Sequence, residues 1–342
     1  MRSQKGISLL EILIAIVLGM LLILGVTRVF ISSKYVFSAQ TALSSIQETG
    51  RLAIEFISRD IRMAGFYGCQ NSRIQTNNLF SSNINDAATT DTLHKNFSEF
   101  IRGYPAPANL PANHRLPING VATVASNNIL VIKRAGDSVF PLSEGSEQNS
   151  LKAYVDKNLA IANNCINGLC VNDIAIASNC SKGQFFKVDS LALTAGSEIS
   201  TLTITHSGDW GDATNTLTYF SYGDIYPIDT ITYFLSEGTS GQPSLWQKSS
   251  TGDAVEILEG VEALSFTYLI EGATDYVEAS TVAAANWIKV KGVKVELVVR
   301  SLENNLVEEP QVYTFKGQTV TPTDRRQRQV FSTVVGVRGG LK

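Results

Sequence analysis

Few side chains in this 342-residue chain are of types and spacings that could do chemistry. The three histidines, His94, His114 and His206, stand far apart, and no H-E-x-x-H pattern, G-x-S-x-G elbow or Walker loop occurs. No active site, cofactor or metal centre is therefore expected. Asp209, Asp224 and Asp229 fall in the loop-rich stretches THSGDWGD and YGDIYPID. Without a D-x-D-x-D-G calcium loop they read as solvated turn residues. Tyr67, Trp210, Tyr222, Tyr226 and Trp246 read as core or cross-strand packing rather than a ligand platform. Arg325, Arg326 and Arg328 form a short basic cluster that reads as a solvated face; with a net charge of −3, nothing resembles the basic stripe of a nucleic-acid binder.

The four cysteines, Cys69, Cys165, Cys170 and Cys180, are an even set, which suits disulfides in an oxidising compartment. A four-thiolate zinc site is the rival, but C-x4-C-x9-C lacks the paired C-x2-C knuckles of such sites. In CINGLC, Asn167 and Gly168 suit the turn of a two-residue hairpin, which would set Cys165 across from Cys170 within disulfide reach. Cys69 and Cys180 are then left to pair. That bridge would tie a helix end to a sheet and be worth up to about 4–5 kcal/mol in the chain-entropy model.

The most unusual chemical group is Glu11, because of where it stands. From Ile7 to Val26 the chain is uncharged apart from this carboxylate, and as a helix the mostly apolar run would extend about 30 Å, one bilayer crossing. A carboxylate in lipid costs roughly 2.5–3.5 kcal/mol and usually has a partner. Three readings compete. A secretory signal peptide would use Arg2 and Lys5 as its basic region and be cut after the core, near Ala39, and a plain signal anchor would not be cut; neither gives Glu11 a reason. In the third, cleavage falls after Gly6, so that Ile7 becomes the N-terminus and Glu11 lies one turn from a free cationic amine, its own or a neighbouring subunit's.

The stretch KGISLLEILIAIVLGMLLIL resembles the leader and N-terminal helix of type IV pilins and of the related pseudopilins of type II secretion. The resemblance implies that a dedicated membrane peptidase cuts after Gly6 and methylates the amine of Ile7, and that Glu11 makes an assembly contact with a neighbour's amine. Ile7 stands where most of the family has phenylalanine. Losing Arg2 and Lys5 would take the net charge from −3 to −5.

The elements that must carry these groups follow from periodicity. Leu43, Ile46, Gly50, Ala53, Ile57, Ile61 and Ala64 recur at steps of three and four, which extends the helix as an amphipathic half ending near Gly65. From Ile7 to Ala64 it would be about 87 Å long. Arg51, Glu55, Arg59 and Asp60 could be surface pairs on it. Gly19 and Gly25 each cost the membrane half about 1 kcal/mol relative to alanine, and would either permit bending or let neighbouring helices approach. Beyond residue 70 the runs NILVIKR, DIAIAS, QFFKV, STLTITH, NTLTYFSY, DTITYFL, VKVELVVR and QVYTF have strand character, while TNNLFSSNINDAATT and PAPANLPANHRLP read as surface excursions. With 44% hydrophobic residues the chain can bury a full core.

The helix end QETGRLAIEFISRDIRMAGFYGC, the stretches ITYFLSEGTSGQPSLWQKSS and AVEILEGVEALSFTYLI, and the ending RRQRQVFSTVVGVRG are similar to minor pilins of the PilW type. The resemblance implies an α+β, pilin-like fold: a leader at 1–6, a transmembrane half at 7–28, an amphipathic half at 29–64 and a β-rich antiparallel head at 65–342. It also implies an inner-membrane protein with a periplasmic head that moves into a pilus fibre, at its tip. It would help initiate assembly and so support twitching motility, adhesion and DNA uptake. The partners implied are other minor and major pilins, the prepilin peptidase, the assembly platform, a tip adhesin and the lipid bilayer. The rivals are a minor pseudopilin of a secretion system, which shares every N-terminal feature, and a membrane-anchored binding or hydrolytic head.

Overall fold

The computed structural model describes residues 9–68, 70–71, 99–111, 128–144, 146–147, 149–179, 183–207, 222–250 and 253–338. Helix α1 (Leu9–Met63) runs for 55 residues, about 82 Å. The chain divides into two compact units, Met1–Glu48 with Arg300–Gln329 and Thr49–Val299 with Val330–Lys342.

In the first unit α1 is bare over most of its length, from Leu9 to Phe37. The Tyr35 hydroxyl donates to the carbonyl of Leu306 at 2.7 Å, which holds the 300–329 excursion on the helix. That excursion is closed at its base, where Ser301 N donates to Gln327 O at 2.8 Å and Gln327 N returns to the Ser301 hydroxyl at 3.0 Å. Its tip is a small hairpin, Tyr313–Phe315 against Gln318–Val320, turning through Lys316 and Gly317 at positive φ. The arginine cluster is not the solvated face that composition suggests. Arg325 is exposed, but Arg326 donates to the carbonyls of Ser301 and Leu302. The Arg328 side chain, only 2% exposed, forks onto Asp324 at 2.6 and 3.0 Å. Guanidinium groups donate in several directions at once, and here they satisfy the carbonyls of a loop with little ladder of its own.

In the second unit the end of α1 buries Gly50, Ala53, Ile57, Ile61 and Ala64, the stripe whose spacing marks it in the sequence. Burying Ile57 and Ile61 contributes roughly 1.5–3 kcal/mol each. The helix stops as its stripe runs out: Gly65 takes φ +70 and its N–H turns to the carbonyl of Lys133 at 2.9 Å, so the chain leaves through a left-handed residue.

Among the described residues of this unit the sheets are antiparallel. The longest strand, Asp224–Glu237, pairs with Ile174–Ser178 through Asp224–Pro227, with Ile129–Ala135 through Ile228–Tyr233, and with Pro243–Lys248 through Thr232–Glu237. The YGDIYPID stretch, rich in turn residues, is therefore mostly strand. Pro227 is tolerated because it stands where the strand changes partners, and only its carbonyl is used there, accepting from Gly136 N at 2.7 Å. A second sheet joins Ser190–Thr194, Ile199–Thr205 and Ser150–Asp156. Its alternation is clean: Leu151, Ala153, Leu202 and Ile204 face a core with Phe140 and Phe186, while Thr201, Thr203 and Thr205 point away. A third sheet has the order Tyr276–Glu278, Val261–Ile270, Val290–Arg300, Arg328–Gly336. NTLTYFSY lies outside the described residues except for Tyr222, as does TNNLFSSNINDAATT.

Candidate assembly interface

The surface most suited to function is the bare half of α1. Between Leu9 and Thr27 the one ionisable side chain is Glu11, and it is exposed. The large apolar side chains around it, from Leu9 to Val26, are exposed as well. This is the one described helix long and apolar enough to cross a membrane. Its local chemistry suits an apolar surrounding. Helical hydrogen bonding satisfies the backbone, and the Thr27 hydroxyl donates back to the carbonyl of Ile23 at 2.8 Å.

Helix α1 passes through Gly19 and Gly25 without a break, and a β-carbon added at either position would meet nothing within 4 Å. Nothing in this chain therefore requires them to be glycine. They leave two shallow places on the helix surface where another backbone can come close.

Gly6, Ile7, Arg2 and Lys5 lie outside the described residues, as do Cys69, Cys180, His94, His114, Asp209 and Trp210. Cys165 and Cys170 stand opposite each other in a two-residue hairpin and form a disulfide. Asn167 and Gly168 turn that hairpin at φ +45 and +82. Asp173 supports it by accepting the Cys170 N–H at 2.8 Å, and burial raises its carboxyl above the ordinary value.

The remaining candidates are structural. His206 is buried with its ring 5.2 Å from that of Phe186. Tyr67 packs edge-on to Phe185 at 5.1 Å, and Trp246 stacks on Phe234 at 6.4 Å. Tyr226 is partly buried and donates to Asp224, while Asp229 accepts from Ser250 at 3.3 Å. Tyr222 departs from the packing expected of it, at 67% exposed. It precedes the start of the long strand, so no sheet face covers it. Among the described residues no group of three His, Cys, Asp or Glu could hold a metal ion.

One polar cluster escapes sequence reasoning. Asp60 is not a surface residue: its side chain is 8% exposed and meets Arg134, Tyr233 and Gln247. No local spacing signals this, because the partners come from three distant strands.

The family described as Type IV Pilus-assembly protein W matches residues 232–339, and the prokaryotic N-terminal methylation motif matches residues 1–27. No curated protein matches the chain. Among solved structures, the type IV-like pilin TTHA1219 from Thermus thermophilus is similar at 15% identity over 49% of this chain and 84% of that one, with a TM-score of 0.23. The methylation motif at one end, the pilus-assembly match at the other and a bare apolar helix leading an antiparallel β-rich head together support a PilW-type minor pilin.

Proposed function

We propose that this chain is a PilW-type minor pilin that joins other minor pilins in the inner membrane to start or cap a pilus. Its leader is cut after Gly6, Ile7 is methylated, and Glu11 pairs with the amine of a neighbouring subunit. The observation that carries this reading is the exposed Glu11 carboxylate on a helix face otherwise without charge from Leu9 to Thr27. A lone carboxylate in lipid is unfavourable, and a cationic amine at the same depth in the next subunit neutralises both groups and sets the axial stagger. The open surface at Gly19 and Gly25 lets such a neighbour come close. The head lies in the periplasm and presents its surfaces to sibling pilins and a tip adhesin. Motility, adhesion and DNA uptake follow from the pilus. This subunit is not itself the DNA receptor, since its mature net charge of −5 carries no basic stripe.

Mass spectrometry of the mature protein is the direct test. Methylated Ile7 at the N-terminus is expected, and an intact Met1 in cells with active peptidase would exclude the processing. Glu11→Ala should still be cleaved but should lower pilus number; unchanged piliation would remove the role given to the carboxylate. A deletion that stops exoprotein secretion and leaves pili intact would move the subunit to a secretion pseudopilus.

A further inference from the structure

Asp60 stands in the last turn of α1, where the helix carbonyls already make the end negative and a carboxylate is least favoured. Burial raises its pKa above the ordinary carboxylate value, partly offset by the Tyr233 hydroxyl and the Arg134 guanidinium. The partners are specific. Tyr233 donates to Asp60 Oδ2 at 2.6 Å. Gln247 Nε2 donates to the same oxygen at 3.3 Å and to the Tyr233 oxygen at 3.0 Å. Arg134 Nε lies 3.5 Å from Asp60 Oδ1, a charge contact without hydrogen-bond geometry. Arg134 continues to Asp137 at 3.0 Å, and Asp137 to Arg59 at 3.6 Å, so the chain of charges returns to the residue beside Asp60.

This is a costly way to join a helix to a sheet. Replacing a buried ion pair by apolar side chains of similar volume is often neutral or stabilising, whereas deleting one partner alone is strongly destabilising. What the polar set adds is direction. The stripe of Ala53, Ile57 and Ile61 is held by a force with no preferred angle. The hydrogen bonds from Tyr233 and Gln247 weaken steeply when misaligned.

We infer that Asp60, Tyr233, Gln247 and Arg134 act as a register key, fixing the angle and height at which the end of α1 meets the sheet. The three partners sit on Ile129–Ala135, Asp224–Glu237 and Pro243–Lys248, neighbouring strands of one sheet, so Asp60 is located against all three at once. A subunit that shows different faces to different neighbours carries any angular error at this joint into each of those contacts. The key does not depend on which assembly the subunit joins.

The test uses the full chain in detergent, with nitroxides on a keto amino acid incorporated at positions 51 and 255, where Arg51 and Val255 are exposed. Pulsed electron resonance then reads the spread of distances between α1 and the strand Ala254–Glu259. Combined replacement by Asp60→Leu, Arg134→Met, Tyr233→Phe and Gln247→Met should leave the thermal midpoint at or above that of the unaltered protein and broaden the distance distribution. A folded combined variant with the original width would overturn the inference. Should that variant fail to fold, Tyr233→Phe alone decides: broadening supports the key, and a lower midpoint with unchanged width shows a purely stabilising role and overturns it.

Discussion

The ring of Phe331, on the last strand, lies so close to the backbone of α1 at Gly50 that a β-carbon on Gly50 would fall among its ring atoms. Alanine is the better helix former by about 1 kcal/mol, whereas overpacking costs typically 1–3 kcal/mol. Gly50→Ala should therefore lower stability, by a net of up to about 2 kcal/mol. Denaturant unfolding of the full chain in detergent checks this, and Phe331→Leu in the same chain should restore the loss. Additive effects of the two changes would show that the ring is not the cause.

Acid should loosen the 300–329 excursion through Asp324. The hydrogen bond from Arg328 holds the Asp324 carboxyl below the ordinary aspartate range, so the ionised form is favoured in the folded state. Its contribution is present above the unfolded aspartate value, near pH 4, and is lost as pH falls through the depressed folded value. Asp324→Asn should cost about 1–3 kcal/mol at neutral pH, because the nearly buried Arg328 loses a charged partner. It should also flatten the acid limb of stability. An unchanged acid limb in the variant, followed by chemical denaturation from pH 7 to pH 3, would assign that limb to other carboxylates.

Gly19→Leu and Gly25→Leu should leave the folded single chain unaltered, since each added side chain enters open space. Circular dichroism of the detergent-solubilised protein should show unchanged or slightly higher helix content. Pilus number, counted by electron microscopy, should fall because the larger side chains hold neighbouring helices apart. Full piliation with both leucines would place the helix–helix contacts elsewhere.

Removing the hairpin disulfide should be mild. With a sequence separation of 5 between Cys165 and Cys170, the chain-entropy model gives about 2 kcal/mol for the closed loop. Cys165→Ser with Cys170→Ser should lower the thermal midpoint by a few degrees without loss of fold. Complete unfolding of the double variant would mean that the loop nucleates more than its own hairpin.

Whatever depends on neighbours along the chain is legible in the amino-acid order. Uncharged length marks the bare helix, steps of three and four mark Gly50 to Ala64, and alternation marks strands such as Ile199–Thr205. The CINGLC turn belongs here too, because a two-residue hairpin is local chemistry. Groups whose partners are remote take their roles from the folded arrangement instead. Arg328 looked solvated beside Arg325 and Arg326 until the fold closed the excursion around it. YGDIYPID kept its turn-forming residues, yet became strand because Ile174–Ser178 and Ile129–Ala135 were there to pair with it. Asp60 is the clearest case. Its hydrogen bond to Tyr233 spans a sequence separation of 173, and no periodicity within α1 encodes a contact whose energy depends on three strands arriving together. Periodicity records which face of an element is buried; what that face touches is settled only when distant strands close on it.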